Sequence, residues 1–253
     1  MTSSFLVLLP PSETKSDGGN RRLSKKLHWP ELDPVRANVR ESLVQLAHGA
    51  PDAARMALKI SPKLAEVELE RNRALEDAPR KPAIERYTGV LYDAIDAATL
   101  TPEARAWVDR HVAIHSALYG LVMASDPIAA YRLSYDSKLP GAPLKQRWRT
   151  HIATALRAHR GPILDLRSKG YVGLGAIDHG TDHAWGDVKE RLDDGSTRSL
   201  NHFNKQNKGL LIRAMAERFA GEPEPASLAE VMAALGSFAS WERRADGVVD
   251  IVR

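Results

Sequence analysis

The chain has 253 residues, 43% apolar and 27% charged, with 36 Lys and Arg against 32 Asp and Glu for a net charge of +4. That apolar content fills a real core and excludes a disordered chain, and no apolar run approaches the roughly 18 residues a membrane span needs. Cysteine is absent, which excludes disulfides, thiolate metal sites and cysteine nucleophiles and makes the cytoplasm the expected address.

Phe5 to Leu9 is an all-apolar run without a preceding basic residue. It is too short for a signal peptide and reads as a strand buried on both faces. Pro10 and Pro11 cannot donate to a ladder, so Pro10-Pro11-Ser12-Glu13-Thr14-Lys15 leaves the strand as a loop. Helices are predicted at Val35 to His48, Asp52 to Ile60, Pro62 to Glu76, Glu85 to Ala98 and Pro102 to Leu118. Ser61 and Pro62 suit the cap and first position of a helix, so 52–76 reads as two helices joined by a tight turn.

After Tyr119-Gly120, a strand is expected over Ile128 to Tyr135, a helix over Leu144 to His159 and a short strand over Ile163 to Arg167. Ala184 to Leu192 and Arg198 to Phe203 read as a hairpin around Asp193-Asp194-Gly195-Ser196, because Asp-Gly is a strong turn signal. Helices over Asn204 to Phe219 and Leu228 to Leu235 and a strand over Gly247 to Val252 complete the chain. The fold class is α/β, or mixed α+β: a helix-rich single domain, 1–253, around a mixed sheet.

Charge is segregated. Arg132 to Lys169 holds nine Lys or Arg against two Asp, or +7; Arg198 to Arg218 holds five against one, or +4. Gly170 to Thr197 between them has two basic residues against six acidic. An anion-binding groove requires such segregation, although any single basic helix face is also what solvation alone would give. A polar loop leaving a buried strand is where open sheets hold ligands, so Ser12, Glu13 and Lys15 are candidates for anion binding or proton transfer. His202, Asn204, Lys205 and Lys208 gather where the hairpin meets a helix, with Lys205 and Lys208 three apart on one face. Arg132, Arg167, Ser168 and Tyr171 put arginines beside aromatics at strand ends, a combination that can clamp phosphate or stack on a base and also packs ordinary cores. His111 and His115 have helical spacing without the glutamate of a metalloprotease, and His179 with His183 lacks a third ligand. No metal site and no cofactor is expected.

The ordered motifs resemble the YaaA peroxide-stress family. They are Leu8-Leu9-Pro10-Pro11-Ser12-Glu13 with Lys15, Tyr87-Thr88-Gly89-Val90-Leu91-Tyr92, Leu118-Tyr119-Gly120 with Asp126-Pro127 and Tyr131-Arg132, and Leu139-Pro140-Gly141 with Trp148. Asp165-Leu166-Arg167-Ser168 with Tyr171 and His202-Phe203-Asn204-Lys205 with Lys208-Gly209 follow in the same order. The resemblance implies a compact α/β domain and a cytoplasmic protein of the oxidative-stress response that limits damage from free iron. It also implies binding of double-stranded DNA through a basic cleft and a helix-hairpin-helix. Here that element would be 52–76, with Lys59, Ser61 and Lys63 at the turn, joined by Lys205 and Lys208. The turn has none of the glycines usual in a DNA-reading hairpin. The alternative reading is an enzyme or binding protein for a nucleotide-like or other anionic small molecule, in a pocket between the 10–15 loop and the 202–209 segment, with Glu13 available as a general base.

Overall fold

The computed structural model describes residues 5–24, 26–177, 182–191, 197–198 and 201–253, without the side chains of 198, 201 and 202. At its centre lies β1 (Leu6–Leu9), every residue buried. It pairs in parallel with β3 (Val112–Ser116) on one side and β6 (Ile163–Asp165) on the other. β6 continues in parallel to β7 (His183–Arg191), and β7 to β10 (Val249–Val252). Antiparallel strands close both edges, β4 (Gly120–Met123) on β3 and β9 (Ser240–Arg243) on β10. β8 (Thr197–Arg198) adds to the end of β7. The order is β4-β3-β1-β6-β7-β10-β9, and a separate two-stranded ribbon joins β2 (Arg80–Pro82) to β5 (Pro127–Ala129).

That order explains the continuous apolar runs of β1, β3 and β6, since parallel strands covered on both faces have no reason to alternate. It also creates a switch point. The chain leaves β1 toward β3, whereas β6 leads the other way toward β7, so a crevice opens beyond the carboxyl ends of β1 and β6.

The helices are α1 (Asp33–His48), α2 (Pro51–Ala57), α3 (Ala65–Arg73), α4 (Ala83–Arg86), α5 (Val90–Ile95), α6 (Pro102–His111), α7 (Leu144–Ala158), α8 (Lys169–Val172), α9 (Asn201–Phe219) and α10 (Leu228–Ala234). No helix among the described residues is long and apolar enough to cross a membrane. Trp148 on α7 is wholly buried and donates its indole N–H to the Ala117 carbonyl at 2.9 Å.

Several elements differ from expectation. The helix predicted over 102–118 stops at His111, and Val112 turns directly into β3. The run Val112-Ala113-Ile114 is apolar in either conformation, and β1 offers it a ladder on a buried face. The strand predicted over 128–135 is shorter, pairing with β2 over Pro127–Ala129 and ending there. The strand expected over 198–203 gives way to α9, which begins at Asn201. The turn at 193–196 lies outside the described residues.

In the 52–76 segment, α2 ends at Ala57, Lys59 takes a left-handed backbone with φ 55°, and a single 3₁₀ turn at Pro62–Leu64 precedes α3. Ser61 starts that 3₁₀ turn without a side-chain capping bond. Two helices and a turn are present, but a helix-hairpin-helix of the DNA-reading kind is not confirmed.

Candidate functional site

The crevice at the switch point holds a cavity of about 470 Å³. Three chain segments wall it: Pro10 to Thr14 after β1, Ser168 and Tyr171 after β6, and Asn204, Lys205 and Lys208 on α9. Thr88 to Tyr92 and Leu133 to Tyr135 complete the lining.

The 10–15 loop is held from beneath. Tyr92 donates its hydroxyl to the Pro10 carbonyl at 2.8 Å, and Thr14 donates to the Thr88 carbonyl at 3.3 Å. Lys15 is buried below the loop and does not line the cavity. Its ammonium donates to the carbonyls of Ser12 and Glu13 at 3.0 and 3.1 Å and lies 4.1 Å from the centre of the Tyr131 ring. Burial, helped by the nearby Arg132 charge, pulls the Lys15 pKa down to about 7. Tyr131 itself is hydrogen-bonded to Tyr87 at 2.9 Å and to Ser116 at 2.7 Å. Lys15 therefore shapes the loop from inside, and the side chains the loop presents outward are Ser12, Glu13 and Thr14.

Glu13 is exposed and pairs with Arg132 at 2.7 Å. That pairing neutralises the one arginine expected from the Tyr131-Arg132 pair. Arg167 is wholly buried: its guanidinium grips Asp165 at 2.8 and 2.6 Å, donates to His115 Nδ1 at 2.8 Å and reaches the Gly175 carbonyl at 2.9 Å. These bonds engage all three guanidinium nitrogens, so Arg167 stiffens the floor. Burial, and then the Arg167 charge, holds the His115 pKa well below its usual value. Ser168 sits exposed on the rim. Tyr171 forms a buried wall, edge-on to His115 at 5.7 Å and to Tyr135 at 5.5 Å between ring centres.

On α9 the cations differ. Lys205 is exposed. Lys208 is 5% exposed and has no hydrogen bond or ion pair to any described residue. Desolvation pulls its pKa down to about 8 against the opposing influence of Asp165 and Asp187, with Lys205 adding to the depression. Asn204 ties the first turns of the helix to the sheet by donating to the Val188 carbonyl at 2.5 Å. Gly209 allows α9 to lie against α5, since a Cβ there would sit 2.1 Å from the Leu91 carbonyl oxygen. The side chain of His202 lies outside the described residues, as does His179. Among the described residues, no group of three or more His, Asp or Glu gathers in a metal-binding arrangement.

The 58–63 turn lies beside this cavity. Lys59 pairs with Asp136, next to Tyr135 of the wall, and the Lys138 N–H donates to the Ala57 carbonyl at 2.9 Å. Ser61 and Lys63 are exposed on the turn. Ser134, Tyr135, Thr88 and Gly89 were not expected in the site. Gly89 has a φ of 97° and precedes α5, and a Cβ there would lie 3.5 Å from Ser12 Oγ and Thr14 Oγ1.

Comparison with known proteins agrees with the motif order. The model of the family described as "Peroxide stress protein YaaA" matches residues 5–233. The chain belongs to the YaaA peroxide-stress family. Among its relatives, a UPF0246 protein of Corynebacterium glutamicum is 42% identical over 219 residues, covering 84% of this chain and 85% of the relative. A UPF0246 protein of Corynebacterium efficiens is 44% identical over the same length and coverage. A UPF0246 protein of Streptomyces coelicolor is 36% identical over 257 residues, covering 96% of this chain and 95% of its own. The YaaA motifs named from the sequence fall mainly around the switch-point cavity, either on its walls or directly beneath them.

Proposed function

We propose that this YaaA-family protein serves the peroxide-stress response by binding a small anionic molecule, of nucleotide or sugar-phosphate size, in the switch-point cavity. The observation that carries the reading is Lys208: an almost wholly buried amine on the cavity wall without a partner among the described residues. Burying a lysine without a partner costs several kcal/mol, and an anionic ligand removes that penalty. Lys205, one helical turn away at the mouth, adds a second charge for a phosphate or carboxylate. A cavity of about 470 Å³ falls within the range of small-molecule sites and is far too narrow for a duplex.

Isothermal titration with ribose 5-phosphate, AMP and inorganic phosphate tests the reading. At least one of the organic phosphates should bind, and Lys208→Met should weaken it by about tenfold or more, the worth of one charge-assisted hydrogen bond. Equal affinity in the variant and the parent would refute the assignment.

Binding of DNA is the second reading, and one observation favours it: the turn bearing Lys59 and Lys63 adjoins the mouth of the cavity where Lys205 is exposed. Contacts along that rim would be to phosphates, so affinity would fall steeply with added salt and Lys63→Ala with Lys205→Ala would weaken all sequences alike. Limitation of iron-linked damage would then be indirect, following from the ligand or nucleic acid the protein holds.

A further inference from the structure

The proposed ligand site has a chemical feature that simple anion binding does not use. Lys208 is a buried amine on the cavity wall, and Lys205 is exposed three residues away on the same helix face. Hydroxyl groups share the lining: Ser12, Thr14, Ser134 and Ser168 all face onto the cavity. This set of groups, an exposed cation, hydroxyl-bearing walls and a buried amine, suits a molecule that carries a phosphate, hydroxyls and a carbonyl.

We propose that Lys208 forms an imine with the aldehyde of a phosphorylated sugar held in this cavity. The inference rests on the anionic-ligand reading above and adds the identity of the ligand's reactive end. In the step, the lone pair of the neutral Lys208 amine attacks the aldehyde carbon, giving a carbinolamine. One amine proton moves to the former carbonyl oxygen in forming the carbinolamine, and that hydroxyl then leaves with the second amine proton as water, so that a C=N bond stands where C=O stood. No oxidant, reductant or metal enters. Burial supplies the neutral amine: with a pKa of about 8, roughly half of Lys208 is uncharged near pH 8, against less than about one per cent of an exposed lysine.

Two sources present this chemistry, a free sugar phosphate and the open-chain deoxyribose phosphate of an abasic site in DNA. The full chain is incubated with sodium cyanoborohydride and either deoxyribose 5-phosphate or an oligonucleotide carrying one abasic site. Adducts are then located by peptide mass mapping. Trapping on Lys208, at least about tenfold above any exposed lysine, supports the proposal, and the arm in which it occurs identifies the source. Lys208→Met should abolish that adduct, while the map of the unaltered chain decides the matter even if the variant folds poorly. No adduct in either arm, or Lys208 labelled only to the level of surface lysines, overturns the imine. Ribitol 5-phosphate, which has no carbonyl, separates the two readings. If it binds while nothing is trapped, the anion site stands and the imine falls; if neither it nor the sugar phosphate binds and nothing is trapped, both fall.

Discussion

Gly209 offers a test in which local propensity and tertiary packing predict opposite signs. It lies in the interior of α9, where replacing glycine by alanine ordinarily stabilises a helix by roughly 0.5–1 kcal/mol. Here a Cβ would meet the Leu91 carbonyl oxygen at 2.1 Å and the Ala94 Cβ at 2.7 Å. The first contact is about 1.3 Å short of ordinary packing distance, and the obstacle is backbone of α5, which no rotamer change can remove. Either α9 or α5 must move by about an ångström, and overpacking of this kind costs typically 1–3 kcal/mol. Subtracting the propensity gain, Gly209→Ala should lose about 1–2 kcal/mol, read as a lower urea midpoint at unchanged slope. The same displacement would shift Lys205 and Lys208 relative to the 10–15 loop and Thr88 to Tyr92, so ligand affinity should fall as well. A variant as stable as the parent, or more stable, would refute the close α5–α9 approach on which the cavity geometry depends.

Two further outcomes follow from the buried cations. The pKa of Lys15 falls to about 7 and that of Lys208 to about 8, so between those values and the ordinary lysine value the unfolded chain binds more protons than the folded one; stability should therefore rise as pH increases from 7 to about 9.5, and Lys15→Met should flatten that rise in urea titrations, whereas an unchanged slope would contradict the burial of the amine. Arg167→Lys removes the two-point grip on Asp165 and the bond to His115, leaving a buried carboxylate poorly matched; a loss of about 3 kcal/mol or more is expected in denaturant unfolding, and a change within about 0.5 kcal/mol would show that the floor does not depend on the fork.

The parts of the fold legible in the sequence are those where a signal is local. β1 announces itself as an apolar run ended by two prolines, and α7 by its stripe of Trp148, Ile152 and Leu156, all buried. β3 is hidden because Val112 to Ser116 follows α6 without a glycine or a proline, and the neighbouring β1 decides its conformation. The edge strands β4 and β9 are short, and their pairing with β3 and β10 is not a local signal. The convergence of the 10–15 loop with Asn204, Lys205 and Lys208 was anticipated as a possibility from the chemistry of the two segments, while the switch point that brings them together depends on strand order, which no local pattern records.

Charge counting was the least informative signal. The stretch from Arg132 to Lys169 is strongly basic, but Arg132 is paired with Glu13, Arg167 with Asp165, and Arg147 donates to the carbonyls of Ala142 and Pro140. Folding uses these guanidiniums to satisfy carboxylates and backbone oxygens, so their charge does not add up to an open trough.

The two depressed lysines show how a structural cation is told from a functional one. By the size of the depression Lys15 would rank first, at about 7 against about 8 for Lys208. Their partners reverse that order. Lys15 has two carbonyl acceptors and an aromatic face, so its ammonium is partnered within the fold, and it does not line the cavity. Lys208 has none of these among the described residues and lines the cavity, and Asp165 and Asp187 only partly oppose its desolvation. A protein that needed only a rigid α9 could place leucine or methionine at that position and gain stability; an amine there is the group that the proposed anionic ligand would meet.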